Sequence, residues 1–200
     1  MPELYDREKH LQSRLNEFIE HGFDLPERDY YSSLEIDGFL KLKSVLSDIN
    51  NIFTLKVSLA FAHWIIGHFK LPEEPTKKIY SQILSTKPNA NGFDLELEKP
   101  INLVAEVKCN IPINGGDVYG SAQRNGIAKD IDSLVNGKSK SPISSEDCFK
   151  FMVFLDRPEI RAATAHFIKN MKVHKELISM IEENVGKIST DKVYVIFVSF

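Results

Sequence analysis

Asp94, Glu106 and Lys108 are the residues of this 200-residue chain whose types and spacing could do chemistry. The segments 93–98 (FDLELE) and 103–109 (LVAEVKC) alternate apolar with polar side chains, the two-residue period of a half-buried β-strand. Phe93, Leu95 and Leu97 therefore oppose Asp94, Glu96 and Glu98, while Leu103, Ala105, Val107 and Cys109 oppose Val104, Glu106 and Lys108. A three-residue connection at Lys99, Pro100 and Ile101 makes the numbers of cross-strand partners sum to 200 and sets Asp94 directly across from Glu106. A two-residue loop would set Asp94 against Ala105 and mix a charged face with an apolar one, so the pattern selects the odd connection.

Like charges facing each other across a strand pair destabilise the sheet. Water offsets the repulsion if the hairpin face is solvated. A divalent cation offsets it more sharply, because two carboxylates, a backbone carbonyl and waters are oxygen ligands that Mg²⁺ accepts. Lys108, two residues beyond Glu106 on the same face, is a poor metal ligand and a good donor. It can position a metal-held water or stabilise charge building on a phosphate.

The hairpin needs elements on both sides of it. Upstream, Leu11, Leu15, Phe18 and Ile19 recur at helical spacing until Gly22, and 40–49 and 52–69 read as two further helices, the second apolar on most sides and ended by Leu71-Pro72. The stretch 77–85 is ambiguous, and 87–92 (KPNANG) supplies turn residues. Downstream, 118–135 and 158–185 read as helices, and 149–155 and 193–200 as apolar runs of the kind buried on both faces of a sheet. Strands separated by helices imply right-handed βαβ crossovers. The expectation is an α/β fold: a mixed sheet made of the hairpin and parallel strands at 103–109, 149–155 and 193–199, with helices on both faces. One domain, 1–200, would hold a helical region (1–50), a core (51–156) and a C-terminal helix and strand (157–200).

Asp94 followed by Glu106-Val107-Lys108 resembles the aspartate and Glu-x-Lys of the PD-(D/E)xK nuclease superfamily, which includes type II restriction endonucleases. The order of helix 52–69, hairpin 93–109, helix 118–135 and strand 149–155 is similar to that family's αβββαβ core, so the likeness spans about Ile52 to Leu155. Phe93 stands where the motif's proline would be. The resemblance implies that Asp94 and Glu106 ligate a metal, with the Val107 carbonyl as a further ligand, and that Lys108 is the catalytic lysine. It implies Mg²⁺ as cofactor, with Mn²⁺ able to substitute, and hydrolysis of DNA, double-stranded and cut by a homodimer. Similar nucleases often place a Gln or Lys in the next helix, where Gln123 heads the apolar stripe of Ile127, Ile131 and Leu134; the other reading of Gln123 is a satisfied core amide. The other function class is a member of the same fold that binds nucleic acid or protein without cutting.

Composition bounds these readings. With 42% hydrophobic and 26% charged residues the chain is neither disordered nor a repeat array. The longest apolar stretch, 55–69, is broken by Lys56, Ser58, His63 and His68 and falls short of the roughly 20 residues of a membrane span. The N-terminus lacks a signal-peptide pattern, and Cys109 and Cys148 are expected as free, buried thiols, so a cytoplasmic protein is expected. The net charge of −3 divides unevenly: 1–37 carry ten acidic residues against four basic ones, a net of −6, leaving +3 for the rest. Within the rest, 157–175 sets Arg157, Arg161, Lys169, Lys172 and Lys175 against Glu159, a surface that could meet phosphates. Gly137-Lys138-Ser139 does not make a phosphate loop, because Asp132 stands where its first glycine should be and the triplet follows a helix. The glycine-rich segment 114–126 reads as a loop leading into a helix, with a tip able to approach a phosphate backbone.

Overall fold

Asp6 starts the first helix by accepting hydrogen bonds at Oδ1 from the Glu8 and Lys9 amides, which fills donors that a helix leaves open at its N-terminus. A computed structural model describes residues 5–87, 92–113, 116–181 and 188–200. The chain forms two compact units, Met1–Ile49 and Asn50–Phe200.

The first unit contains α1 (Arg7–Phe23), α2 (Tyr30–Ser33) and the start of α3 (Ile36–Phe69). It is held largely by polar contacts: the Asp29 carboxylate accepts from the Ser32 amide and from Gln12 and Asn16, which keeps its pKa well below the usual carboxylate range. Tyr30 is its one buried residue among those described. The two helices expected at 40–49 and 52–69 are one continuous helix, because Asn50 and Asn51 carry neither the missing donor nor the conformational bias with which proline breaks a helix. By length and composition α3 could cross a membrane, yet its second half buries Val57, Phe61, Ala62 and Ile65 in a protein core.

In the second unit the ambiguous stretch is α4 (Glu73–Ser85), which buries Ile79 and Ile83 one helical turn apart. Then follow β1 (Leu95–Leu97), β2 (Leu103–Lys108), α5 (Ser121–Asn136), β3 (Phe149–Leu155), α6 (Pro158–Asn170), β4 (Ile178–Met180) and β5 (Val193–Val198). The strands form one mixed sheet in the order β1-β2-β3-β5-β4, antiparallel at β1–β2 and parallel elsewhere. Leu95 pairs with Ala105, Glu96 with Val104 and Leu97 with Leu103, the odd-loop register that the alternation demands, although the ladder closes earlier and the connection spans 98–102. Of the turn segment 87–92, residues 88–91 lie outside the described residues.

Helices cover both faces. Val57, Phe61, Ile65, Ile79 and Ile83 pack with Leu103, Ala105, Val107, Phe151 and Tyr194 on one face. On the other, Ile127, Ile131, Leu134, Ile160 and Phe167 pack with Val104, Met152, Phe154 and Val195. Between α4 and α5 the described residues hold two strands, so the order seen is helix, strand, strand, helix, strand, without a third strand before α5. The expected helix 158–185 is a correction: α6 stops at Asn170, His174 adopts a left-handed conformation, and Ile178–Met180 adds an edge strand to β5. Helical periodicity continues past Asn170, but the backbone groups of 178–180 find partners on β5 that only the folded sheet provides. Residues 182–187 of that expected helix lie outside the described residues.

Candidate active site

The β1–β2 register, extended one step from the Leu95–Ala105 pair, sets Asp94 beside Glu106. There the ladder ends, and the Asp94 side chain replaces it: Oδ2 accepts the Val107 amide at 2.8 Å. Val107 thus enters the described contacts through its N–H, and its side chain is buried on the α3–α4 side of the sheet. Glu106 points to the opposite side, toward α5, and is only 3% exposed. Lys108 follows on that face at the C-terminal end of a parallel strand, the end at which α/β sheets commonly bind ligands.

Two further residues complete the cluster. Lys138 Nζ stands 2.5 Å from Glu106 Oε1, and Lys108 Nζ forms an ion pair with Asp130 Oδ2. Glu106 Oε1 and Asp130 Oδ2 are fully buried oxygens, and in each case the partner among the described residues is that lysine ammonium. Burial is the main force that pushes the Glu106 carboxyl up to about 8; the Asp94 charge adds to it, and the Lys138 ammonium opposes it. Burial also works against the Lys108 ammonium, but Asp130, with Asp94 and Glu106 beyond it, outweighs that cost and holds its pKa above the usual lysine value. Cys109 is pushed up to about 11, chiefly by burial, and so stays a thiol.

Three carboxylates face two ammonium groups here, so the cluster cannot be neutral with all five ionised. A proton on Glu106, a further cation, or water at the exposed Asp94 offsets the excess charge. Two neighbouring carboxylates, Asp94 and the buried Glu106, are the oxygen donors a hard divalent cation uses, so the residues fit Mg²⁺. Among the described residues no group of three or more His, Cys, Asp and Glu is arranged around a common ion. Asp94 and Glu106 would therefore need a backbone carbonyl and waters to fill the coordination shell.

Gln123 stands apart in its contacts. Its Oε1 accepts the Gly120 amide at the start of α5, and its Nε2 donates to the Ile111 carbonyl, so both ends of the amide tie the segment after β2 to the helix. In the glycine-rich segment, 114–115 lie outside the described residues, and Gly120 has a packing reason: a Cβ there would clash with Ile113 Cδ1.

Asp130 and Lys138 are absent from the motif. Asp130 left a trace in the sequence, for it lies three residues after Ile127 and four before Leu134, a charged residue on the apolar stripe of α5. Lys138 comes from the very triplet that fails as a phosphate loop. Gly137, at φ 85°, caps α5 in a conformation that favours glycine, and Lys138 follows it back to the hairpin. In the basic segment 157–175, Arg157 pairs with Glu159 and Arg161 with Asp156, while Lys169, Lys172 and Lys175 are exposed. No protein-family model matches the chain, and no curated protein or solved structure matches it either.

Proposed function

We propose that this protein is a metal-dependent deoxyribonuclease of the PD-(D/E)xK kind, hydrolysing DNA phosphodiester bonds. One observation carries the reading: Asp94 and Glu106-Val107-Lys108 meet at the C-terminal end of β2, with the Glu106 carboxylate buried. Asp94, Glu106 and the Val107 carbonyl would hold Mg²⁺ or Mn²⁺, which supplies Lewis acidity for a bound water and screens the leaving oxygen. Lys108, kept charged by Asp130, donates to the phosphate as negative charge builds on it. Asp130 is then a positioning residue, since it acts through the lysine. Lys169, Lys172 and Lys175 offer exposed positive charge for a DNA backbone, and double-stranded DNA cut by a homodimer is the mode we favour.

The two ion pairs favour a second reading, a non-catalytic nucleic-acid or protein-binding member of the same fold, because each basic group is already matched by a carboxylate. Supercoiled plasmid separates the two. Nicking in Mg²⁺ or Mn²⁺ that stops in EDTA, and is lost in Lys108→Ala, supports the nuclease. Plasmid that stays intact with either metal, while the protein still retards it in a gel, supports the binder.

A further inference from the structure

We propose that Lys138 is the resident counter-cation of this site: its ammonium occupies the cation position at Glu106 and must leave when a divalent ion binds. The inference rests on the metal-binding reading of Asp94 and Glu106 and adds how that site is regulated.

The ammonium sits in a cradle made for a cation. Lys138 Nζ is 2.5 Å from Glu106 Oε1, donates to the Gly92 carbonyl at 2.6 Å, and lies over the Phe93 ring at 5.0 Å from its centroid. A carboxylate, a carbonyl dipole and an aromatic face are the three kinds of group that stabilise an ammonium. They come from β2 and from the segment just before β1, whereas the lysine arrives from beyond the end of α5. The Lys138 side chain is 26% exposed against 5% for Glu106, so the ammonium belongs to the more open partner of the pair.

A Mg²⁺ ion sits about 2.1 Å from a carboxylate oxygen. With an ammonium already on Glu106 Oε1, two positive charges would share one poorly solvated carboxylate, and their repulsion is strong in a low-dielectric setting. Moving the metal to the second oxygen of the same carboxylate leaves the sign of that interaction unchanged. Binding is therefore an exchange: the metal gains Glu106 as Lys138 lets go. The released ammonium stays tethered at Gly137, next to the reaction centre.

Calorimetric titration of MgCl₂ into the metal-free protein tests the exchange. Lys138→Met should bind Mg²⁺ at least tenfold more tightly than the wild type and melt at a lower temperature without metal, while Lys138→Arg, which keeps the charge, should stay near the wild type. Glu106→Gln should abolish binding in each background. Equal or weaker Mg²⁺ binding by a folded Lys138→Met overturns the exchange and leaves the nuclease reading standing. Absence of Mg²⁺ and Mn²⁺ binding from both wild type and Lys138→Met overturns the exchange and the metal site together. Should Lys138→Met fail to fold, the wild type still decides. Its Lys138 Nζ signal in ¹⁵N NMR, assigned by its loss in Lys138→Arg, should shift or broaden as MgCl₂ is added. A signal unmoved at saturating MgCl₂ overturns the proposal.

Discussion

The two faces of β2 differ although they belong to the same six residues. Leu103, Ala105 and Val107 face α3 and α4 in a wholly apolar core, whereas Val104 begins the other face as part of a second core and Glu106 and Lys108 end it in ion pairs. The first face contributes stability. The second holds charge at a depth where charge is costly unless it is matched. A strand built this way keeps its register through one face and presents reactive groups on the other, at the end where the sheet opens.

The largest expected effect tests the apolar face. Phe151 is fully buried, with its ring 5.1 Å from Phe61 and 5.7 Å from Trp64. Phe151→Ala should cost about 3 to 5 kcal/mol of folding free energy, the usual range for a large core truncation. Because no charge is involved, the loss should be the same at pH 5 and pH 8 in urea melts. A loss that varies with pH would mean that the two faces are not separable.

Next comes the ionic face, where pH should matter. The Glu106 carboxyl rises from 4.5 to about 8 on folding, so the fold favours the protonated form. Its contribution is fully present below about 4.5, is lost as pH rises toward 8, and is flat above that. Glu106→Gln should abolish this slope and make the metal-free protein more stable at pH 8 by about 2 to 4 kcal/mol. Urea melts across that range check it, and a wild type whose stability is flat from pH 5 to 8 would contradict the burial cost assigned to Glu106.

Smaller in free energy is the role of the lysine. Lys108→Ala should lower plasmid cleavage by about 10², near 2.7 kcal/mol of transition-state stabilisation, with Mg²⁺ affinity little changed. Asp130→Asn should fall between this variant and the wild type, since it frees Lys108 without removing it. Smallest is the effect of the exposed lysines. Charge reversal at Lys169 and Lys172 should flatten the log–log salt dependence of DNA binding by about 1 to 2 units. An unchanged slope would make that surface a solvated helix face.

The alternating pattern of 93–98 and 103–109 carried its own register, because a slip of one residue would turn Glu106 and Lys108 into the apolar core that holds Leu103, Ala105 and Val107. The parallel strands at 149–155 and 193–198 were legible for a related reason: seven and six residues with no solvent face have few other places to go. Local signals failed where the answer depended on a distant partner. Ile178–Met180 is a strand because β5 offers it an edge, and the 49/50 division falls inside a helix that the local pattern cannot show to be continuous.

The site divides in the same way. Asp94, Glu106 and Lys108 belong to one hairpin, so strand periodicity and loop parity alone brought them to one end of it, where Asp94 accepts the Val107 amide. Asp130 and Lys138 reach that face across the α5 crossover, 24 and 32 residues after Glu106. Which turn of α5 lies over β2, and where Gly137 releases the chain, is decided by how Ile127, Ile131 and Leu134 pack on the sheet. Hairpin geometry is local and periodic, whereas the placement of a helix on a sheet depends on all the side chains between them at once. The sequence by itself therefore determined which carboxylates come together at the end of the hairpin, and only the tertiary structure decided which lysine neutralises them.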